Sequence, residues 1–390
     1  MTFYYFYVII EYYILYGCGY IITYKIFQYR IYPNKQQEEK MTQVLDICRQ
    51  LYNTLLDERI KYYKETGKDL TQRDQQNTLK FKKLDNPIYK EVYTQVLYDV
   101  TFRLDKAYKN FFRRVKSKIK NAGFPRFKTE DRYNSFTYPQ LGKKIIDNQY
   151  LWLSGIGNIK MKYSRLIEGE LKQIVIKRKN NKWFANIMCK IDYINISTQC
   201  HNNIVGFDMG INHFIVTSDG EFIDMPRYYK NIQNKLSKEQ RKLSKKQKGS
   251  NRHNKQKLII SKIHNKIENQ RKDFHHKLST KLSKEYNIII VEDLDIKNMI
   301  KDSHKGLNKS IHDVAWYQFI LFLTYKVENT GGKLIKVEPY NTSQMCSSCG
   351  VIVKKELKDR IHKCDCGLEI DRDLNAAINV LNKGLKLVNK

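Results

Sequence analysis

Three observations in the sequence predict a multidomain fold of α/β plus α+β class. Segments of period-two apolar alternation, the mark of strands, are interleaved with long stretches of helical period. The 390 residues are enough for two or three domains, each with its own core. The last tenth of the chain places four cysteines directly ahead of an apolar helix, which marks a small metal-knotted module.

The elements follow in order. Residues 1–23 are almost wholly apolar and aromatic, broken by Glu11. The stretch is long enough to span a bilayer, but its tyrosines favour the interface over the bilayer centre. A hydrophobic N-terminal extension from an early start codon is expected, with no stable membrane partner. From Tyr24 to Pro33 the pattern alternates as in a strand stopped by proline. Val44, Ile47, Cys48, Leu51, Leu55 and Leu56 then form one helical stripe, and Val92, Val96, Val100, Leu104 and Phe111 a second. Residues 36–122 therefore read as a helical block, ended by Gly123-Phe-Pro-Arg-Phe-Lys128. Strand-like runs at 151–153, 173–177 and 183–187 make 123–200 a small β domain. Residues 24–35 join that sheet, so the helical block is an insertion.

A third region covers 201–340 and closes with 368–390. Residues 204–217 read as strand, tight turn and strand. The Lys/Arg-rich stretch 227–284 has sparse apolar positions at helical spacing (Leu236, Leu243, Leu258, Ile263, Ile267), and Gly249-Ser250 divides it into a helical pair. Residues 287–294 return to sheet. A helix over 314–328 and a strand over 333–337 lead into the cysteine loop, 341–367. Trp152, Trp183 and Trp316 are expected as core anchors.

The net charge of +31, from 71 Lys+Arg against 40 Asp+Glu, demands a polyanionic partner. The basic residues spread along most of the chain among 28 Tyr and 17 Phe, which can stack on bases, so nucleic acid is preferred to a membrane surface. Arg241, Lys245, Lys246, Arg271 and Lys272 in the basic stretch, with Arg126 and Lys128, are the candidate nucleic-acid contacts. Tyr133 and Phe136 flank a polar loop and are candidates as well.

Cys346, Cys349, Cys364 and Cys366 have spacings that suit a structural tetrahedral Zn²⁺. The second pair has one residue between its members, and His362 is near enough to replace a cysteine that fails to reach. Cys18, Cys48, Cys189 and Cys200 are scattered and read as small buried apolar residues. A cytosolic, reducing setting is expected.

Asp208 interrupts an apolar strand–turn segment, Glu292 ends a β run, and Asp373 opens the last helix. Carboxylates are costly to bury without partners. Two strand-borne carboxylates and one on a helix suit two Mg²⁺ ions, which take oxygen ligands and promote phosphodiester hydrolysis.

The motifs Gly123-Phe-Pro-Arg-Phe-Lys128, Gly206-Phe-Asp208-Met-Gly210, Asn269-Gln-Arg-Lys-Asp273, Val291-Glu292-Asp-Leu294, Thr342-Ser-Gln-Met-Cys346 and Asp371-Arg-Asp373-Leu-Asn-Ala-Ala377 occur in this order. In them the chain resembles the TnpB (OrfB) family of transposon-encoded RNA-guided nucleases, relatives of the type V CRISPR effectors. The resemblance implies a split RNase H-like (RuvC) nuclease with a zinc ribbon, preceded by a β-barrel wedge domain and a helical recognition domain. It matches Asp208, Glu292 and Asp373 to the catalytic carboxylates, with Asp371 as the alternative third. It also implies a guide RNA from the transposon end and a double-stranded DNA target. A strand-transferring transposase and a nuclease-dead nucleic-acid binder are the alternatives.

Overall fold

The computed structural model describes residues 10–11, 21–119, 121–193, 203–295, 299, 313–356 and 359–388. They divide into two compact units, Met1–Ile194 and Asn195–Lys390. Cys18, Cys200 and most of residues 1–23 lie outside the described residues.

In the first unit, a short strand β1 (Ile10–Glu11) pairs with β2 (Ile21–Tyr32). β2 starts three residues earlier than the alternation from Tyr24 indicates, and it pairs with β8 (Lys182–Tyr193) from Ile21 onward. Phe27, Tyr29 and Ile31 are buried at alternate positions along it, as period two requires. Three helices follow: α1 (Lys35–Thr66), α2 (Gln72–Asp85) and α3 (Thr94–Lys116). The α1 start is a capping box in which Asn34 and Gln37 satisfy each other's backbone N–H groups. Its stripe from Val44 to Leu56 is buried.

The remaining strands are β3 (Ser135–Tyr138), β4 (Lys143–Ile146), β5 (Tyr150–Leu153), β6 (Gly157–Met161) and β7 (Glu170–Lys179). They form one antiparallel sheet in the order β3-β7-β8-β2-β6-β5-β4. Tyr138 Oη in β3 donates to the carbonyl of Ser154, beyond β5, so the sheet curls its edges toward each other. Among the described residues, β3 and β4 do not pair. Arg103 of α3 holds the helices to this sheet by donating to Ser135 O at 2.7 Å and Thr137 Oγ1 at 2.6 Å.

Three aromatic expectations are corrected here. Tyr133 and Phe136 are buried in the core and do not face nucleic acid. Trp152 points outward on β5 and is 38% exposed, whereas Trp183 and Trp316 are buried. β5 alternates exposed and buried positions, and Leu151 and Leu153 take the inward ones.

The second unit is built on a five-stranded sheet: β9 (Ile204–Asp208), β10 (Ile215–Thr217), β11 (Phe222–Ile223), β12 (Ile288–Glu292) and β13 (Lys333–Val337). Its order is β11-β10-β9-β12-β13. β9, β12 and β13 run parallel, while β10 and β11 are antiparallel. Between β11 and β12 lie α4 (Tyr228–Ser244) and α5 (Asn251–Glu285), the second capped by Ser250 at the break expected there. α6 (Trp316–Asn329) precedes β13. A two-stranded ribbon, β14 (Ile361–Lys363) with β15 (Glu369–Asp371), leads into α7 (Arg372–Val388).

Parity sorts the two faces of this sheet. Val205, Phe207, Ile289 and Val291 pack with Leu278 and Leu282 of α5 and Phe319 and Leu323 of α6. The alternate residues Ile204, Ile288 and Ile290 pack with Val380 and Leu381 of α7. Gly206 lies on this second face, and α7 comes down directly upon it.

Candidate active site and cysteine cluster

Asp208 is the last residue of β9 and Glu292 the last of β12. The parallel register pairs Ile290 with Gly206 and Val291 with Phe207, so the next step sets Glu292 beside Asp208. By parity both carboxylates lie on the face covered by α7. Asp373 stands in the first turn of α7. The small residues Gly206, Ala376 and Ala377 let this helix approach the sheet closely enough to bring its first turn to the strand ends.

Burial pushes the Asp208 carboxyl well above the usual carboxylate range, and the negative charges of Glu292, Asp373 and Asp371 push it further. Arg372 acts in the opposite direction. Burial also raises Glu292, opposed by a hydrogen bond from Thr342 Oγ1 to its Oε1 and by Lys383. Asp208, Glu292 and Asp373 offer oxygen donors, the type a hard divalent cation takes, though their oxygens are not gathered as tightly as the cysteine sulfurs. Arg372 pairs with Asp373 Oδ1 at 3.1 Å. A cleft of about 600 Å³ opens beside Asp373 and is also lined by His213, Arg227 and Arg360. His213 Nδ1 lies 2.7 Å from Asp224 Oδ1 at its rim.

Asp371 lines the same cleft as Asp373. Its Oδ1 accepts from the backbone N–H of Asp373 at 2.8 Å and of Leu374 at 3.2 Å, so it caps α7.

The sulfurs of Cys346, Cys349, Cys364 and Cys366 all lie within 4.8 Å of one another. Among the described residues this is the one group of three or more Cys, His, Asp or Glu ligand atoms gathered so tightly. Cys346 and Cys366 are 3.7 Å apart, and Cys349 and Cys364 are 3.5 Å apart. A tetrahedral ion with metal–sulfur bonds of about 2.3 Å spaces its sulfurs by about 3.8 Å, so the four cysteines fit one metal. Gly350 and Gly367 close the two turns at φ 80° and 93°, a conformation that favours glycine. Burial raises the Cys346 thiol, but the N–H groups of Cys349 and Ser348 more than offset this and bring it down to about 5. His362 is buried beside Cys346 and is not one of the four.

The sequence reading missed the roles of two residues, Asn375 and Asn379. Asn375 Oδ1 accepts from Ser347 N at 2.9 Å, and its Nδ2 donates to Met345 O at 2.7 Å. Asn379 Nδ2 donates to Thr342 O at 2.9 Å and Met345 O at 2.6 Å. Two asparagines spaced i, i+4 on an apolar helix were the available signal, because that spacing places both on one buried face.

The candidate nucleic-acid contacts separate by environment. Arg126, Arg241 and Lys245 are exposed. Lys246, in the connection between α4 and α5, donates to Gln256 at 2.9 Å, and Lys272 pairs with Glu268 within α5 at 2.8 Å. Lys128 lies 5.5 Å over the Tyr52 ring, with its backbone gripped by Asn53. Arg271 is half-buried, and its guanidinium donates to Asp313 O at 3.4 Å.

Comparison with known proteins places this geometry. Residues 187–302 match the family OrfB_IS605, described as a probable transposase, and residues 316–380 match the Cas12f1-like TNB domain. Residues 23–68 match a family described as a helix-turn-helix domain, although here they form β2 and the single helix α1. The Cas12f1 chain of a cryo-EM structure with sgRNA and target DNA has the same fold, with a TM-score of 0.58, 14% identity, and coverage of 93% of this chain and 99% of that one. Fold and cluster thus define a Cas12f1-like multidomain α/β protein with a four-cysteine module. A putative RNA-guided DNA endonuclease, InsQ of Escherichia coli K12, is 32% identical over 377 residues, 92% of each chain. Another, from Streptomyces pristinaespiralis, is 30% identical and covers 93% of this chain and 89% of its own. The chain belongs to the TnpB (OrfB) family. Among the described residues, no helix is long and apolar enough to cross a membrane.

Proposed function

We propose that this protein is an RNA-guided DNA endonuclease of a mobile element, with an RNase H-like (RuvC) catalytic centre in its second unit. The observation that carries the proposal is geometric: the parallel register sets Glu292 beside Asp208, and the helix packed on Gly206 brings Asp373 in its first turn to the same strand ends. Three carboxylates that repel one another without a cation are costly to keep for structure alone. Bound divalent ions, Mg²⁺ in the cell, would supply Lewis-acid activation of water and neutralise charge on the scissile phosphate.

The chain's own residues divide the remaining work. Asp208 and Glu292 hold the centre from rigid strand ends, and Asp373 closes it from α7. Asp371 keeps the helix start in place by capping it, so the third metal-binding carboxylate is Asp373. Cys346, Cys349, Cys364 and Cys366 would hold Zn²⁺, which would close the ribbon that precedes α7. Arg241 and Lys245, with Arg126 in the first unit, contact the nucleic-acid backbone. In this reading the guide derives from the transposon end and pairs with one strand of a double-stranded target. The first unit supplies the wedge and recognition parts.

Purification of the full chain from cells carrying the flanking element DNA, followed by sequencing of bound RNA, tests this. A discrete RNA ending in target-matching sequence is expected. Heterogeneous or absent RNA would refute the guided reading and favour a strand-transferring transposase.

A further inference from the structure

We propose that Thr342, whose carbonyl is held by Asn379, is the positioning residue for Glu292, and that the cysteine cluster governs the catalytic metal site through the loop that Asn375 and Asn379 anchor to α7. This rests on the reading of Glu292 as a metal-binding carboxylate.

The side chains at the ends and middle of the path are buried, while Met345 and Ser347 between them are partly buried. Thr342 is 2% exposed, Asn375 0%, Asn379 1% and Cys346 1%. Thr342 Oγ1 donates to Glu292 Oε1, committing one carboxylate oxygen and leaving the other for a metal. The Thr342 backbone is fixed in turn, because Asn379 takes its carbonyl and also that of Met345. Asn375 grips the loop from both sides of Cys346, through Met345 O and Ser347 N. Cys346 therefore lies between the two backbone groups that Asn375 holds. Closing four sulfurs around an ion anchors the loop at its far end, and the asparagines anchor it to α7. Thr342 carries the result to Glu292.

Each residue type suits its place. Asparagine carries both a donor and an acceptor, so one side chain can hold a carbonyl and an N–H of the same loop. A buried asparagine without these partners would be costly, so the loop and α7 are matched as a unit. The Thr342 hydroxyl must donate to a charged group, which valine of the same shape cannot do. Outer-shell hydrogen bonds to metal-binding carboxylates typically govern affinity or rate by about 10- to 100-fold.

The test uses the full chain with its RNA and reads two quantities, Mn²⁺ binding followed by electron paramagnetic resonance and single-turnover cleavage. T342V should retain zinc and RNA yet bind Mn²⁺ about 10- to 100-fold more weakly and cut slower by a similar factor. T342S should restore both. Asn379→Leu should produce the same defect, with little added by combining it with T342V, because the two act on one path. Cys349→Ser should weaken Mn²⁺ binding in the wild-type background but not in T342V. Unchanged Mn²⁺ affinity in T342V, or additive losses in the double variants, would overturn the proposal. Mn²⁺ binding is read without cleavage, so an inactive wild-type chain with normal Mn²⁺ affinity would count against the endonuclease reading alone.

Discussion

Gly206 lies so close beneath α7 that a Cβ built on it would stand 2.4 Å from the carbonyl oxygen of Ala377. The obstacle is backbone, so Gly206→Ala must displace the helix from the sheet. Overpacking of this kind costs about 1–3 kcal/mol, to be read by denaturant unfolding. Asp373 moves with the helix, so the cleavage rate should fall as well. Gly384→Ala meets side-chain atoms of Ile290 and should be the milder variant.

Asp371 and Asp373 should separate cleanly. Removing the cap with Asp371→Ala should cost about 1 kcal/mol of stability, and Asp371→Ser should recover most of it. Asp373→Asn should leave stability at or above wild type in metal-free buffer and abolish cleavage. If Asp371→Ser were the inactive variant and Asp373→Asn the active one, their assignments would be reversed.

The raised Asp208 carboxyl gives a pH signature with a definite sign. A carboxyl pushed above its usual value of 3.8 binds its proton more tightly in the folded chain than in the unfolded one. Its contribution to stability is complete below that value and is lost as pH rises through the folded pKa. Metal-free protein should therefore lose melting temperature as pH rises from about 4 upward. Mg²⁺ should restore it. Asp208→Asn should flatten the dependence, a comparison that separates Asp208 from every other titrating group.

The cysteine cluster should bind one zinc per chain, measurable by elemental analysis. Cys364→Ser should release it and lower the stability of the second unit, whereas Cys48→Ser should not alter zinc content. Cys48 is buried among apolar residues of the first unit, and burial pushes its thiol up to about 12, as for an inert core cysteine.

Legibility followed period and chemistry. The sheet of the second unit could be read because residues 204–208 and 288–292 are short, dense runs of β-formers that end on the only charges they contain. That Asp208 and Glu292 share a face came only with the parallel register of the two strands. The first helical stripe was equally readable, since Val44 to Leu56 keeps a strict helical spacing. Side-chain environment was less legible. Trp152 has the composition of a core anchor, but the pleat of β5 turns it outward. Arg271 belongs to a run of surface cations, yet it is half-buried and its guanidinium donates to Asp313 O. The role of Thr342 depends on a contact fifty residues away in sequence. No local pattern encodes such a contact.

The most direct measurement is cleavage of a plasmid bearing a guide-matched target by the purified chain with its RNA, in Mg²⁺, beside Asp208→Asn loaded with the same RNA. The wild-type chain should cut at the matched site, and the variant should bind the target equally well and leave it intact. Equal cleavage by the two proteins would contradict the assignment of Asp208, Glu292 and Asp373 as the catalytic centre.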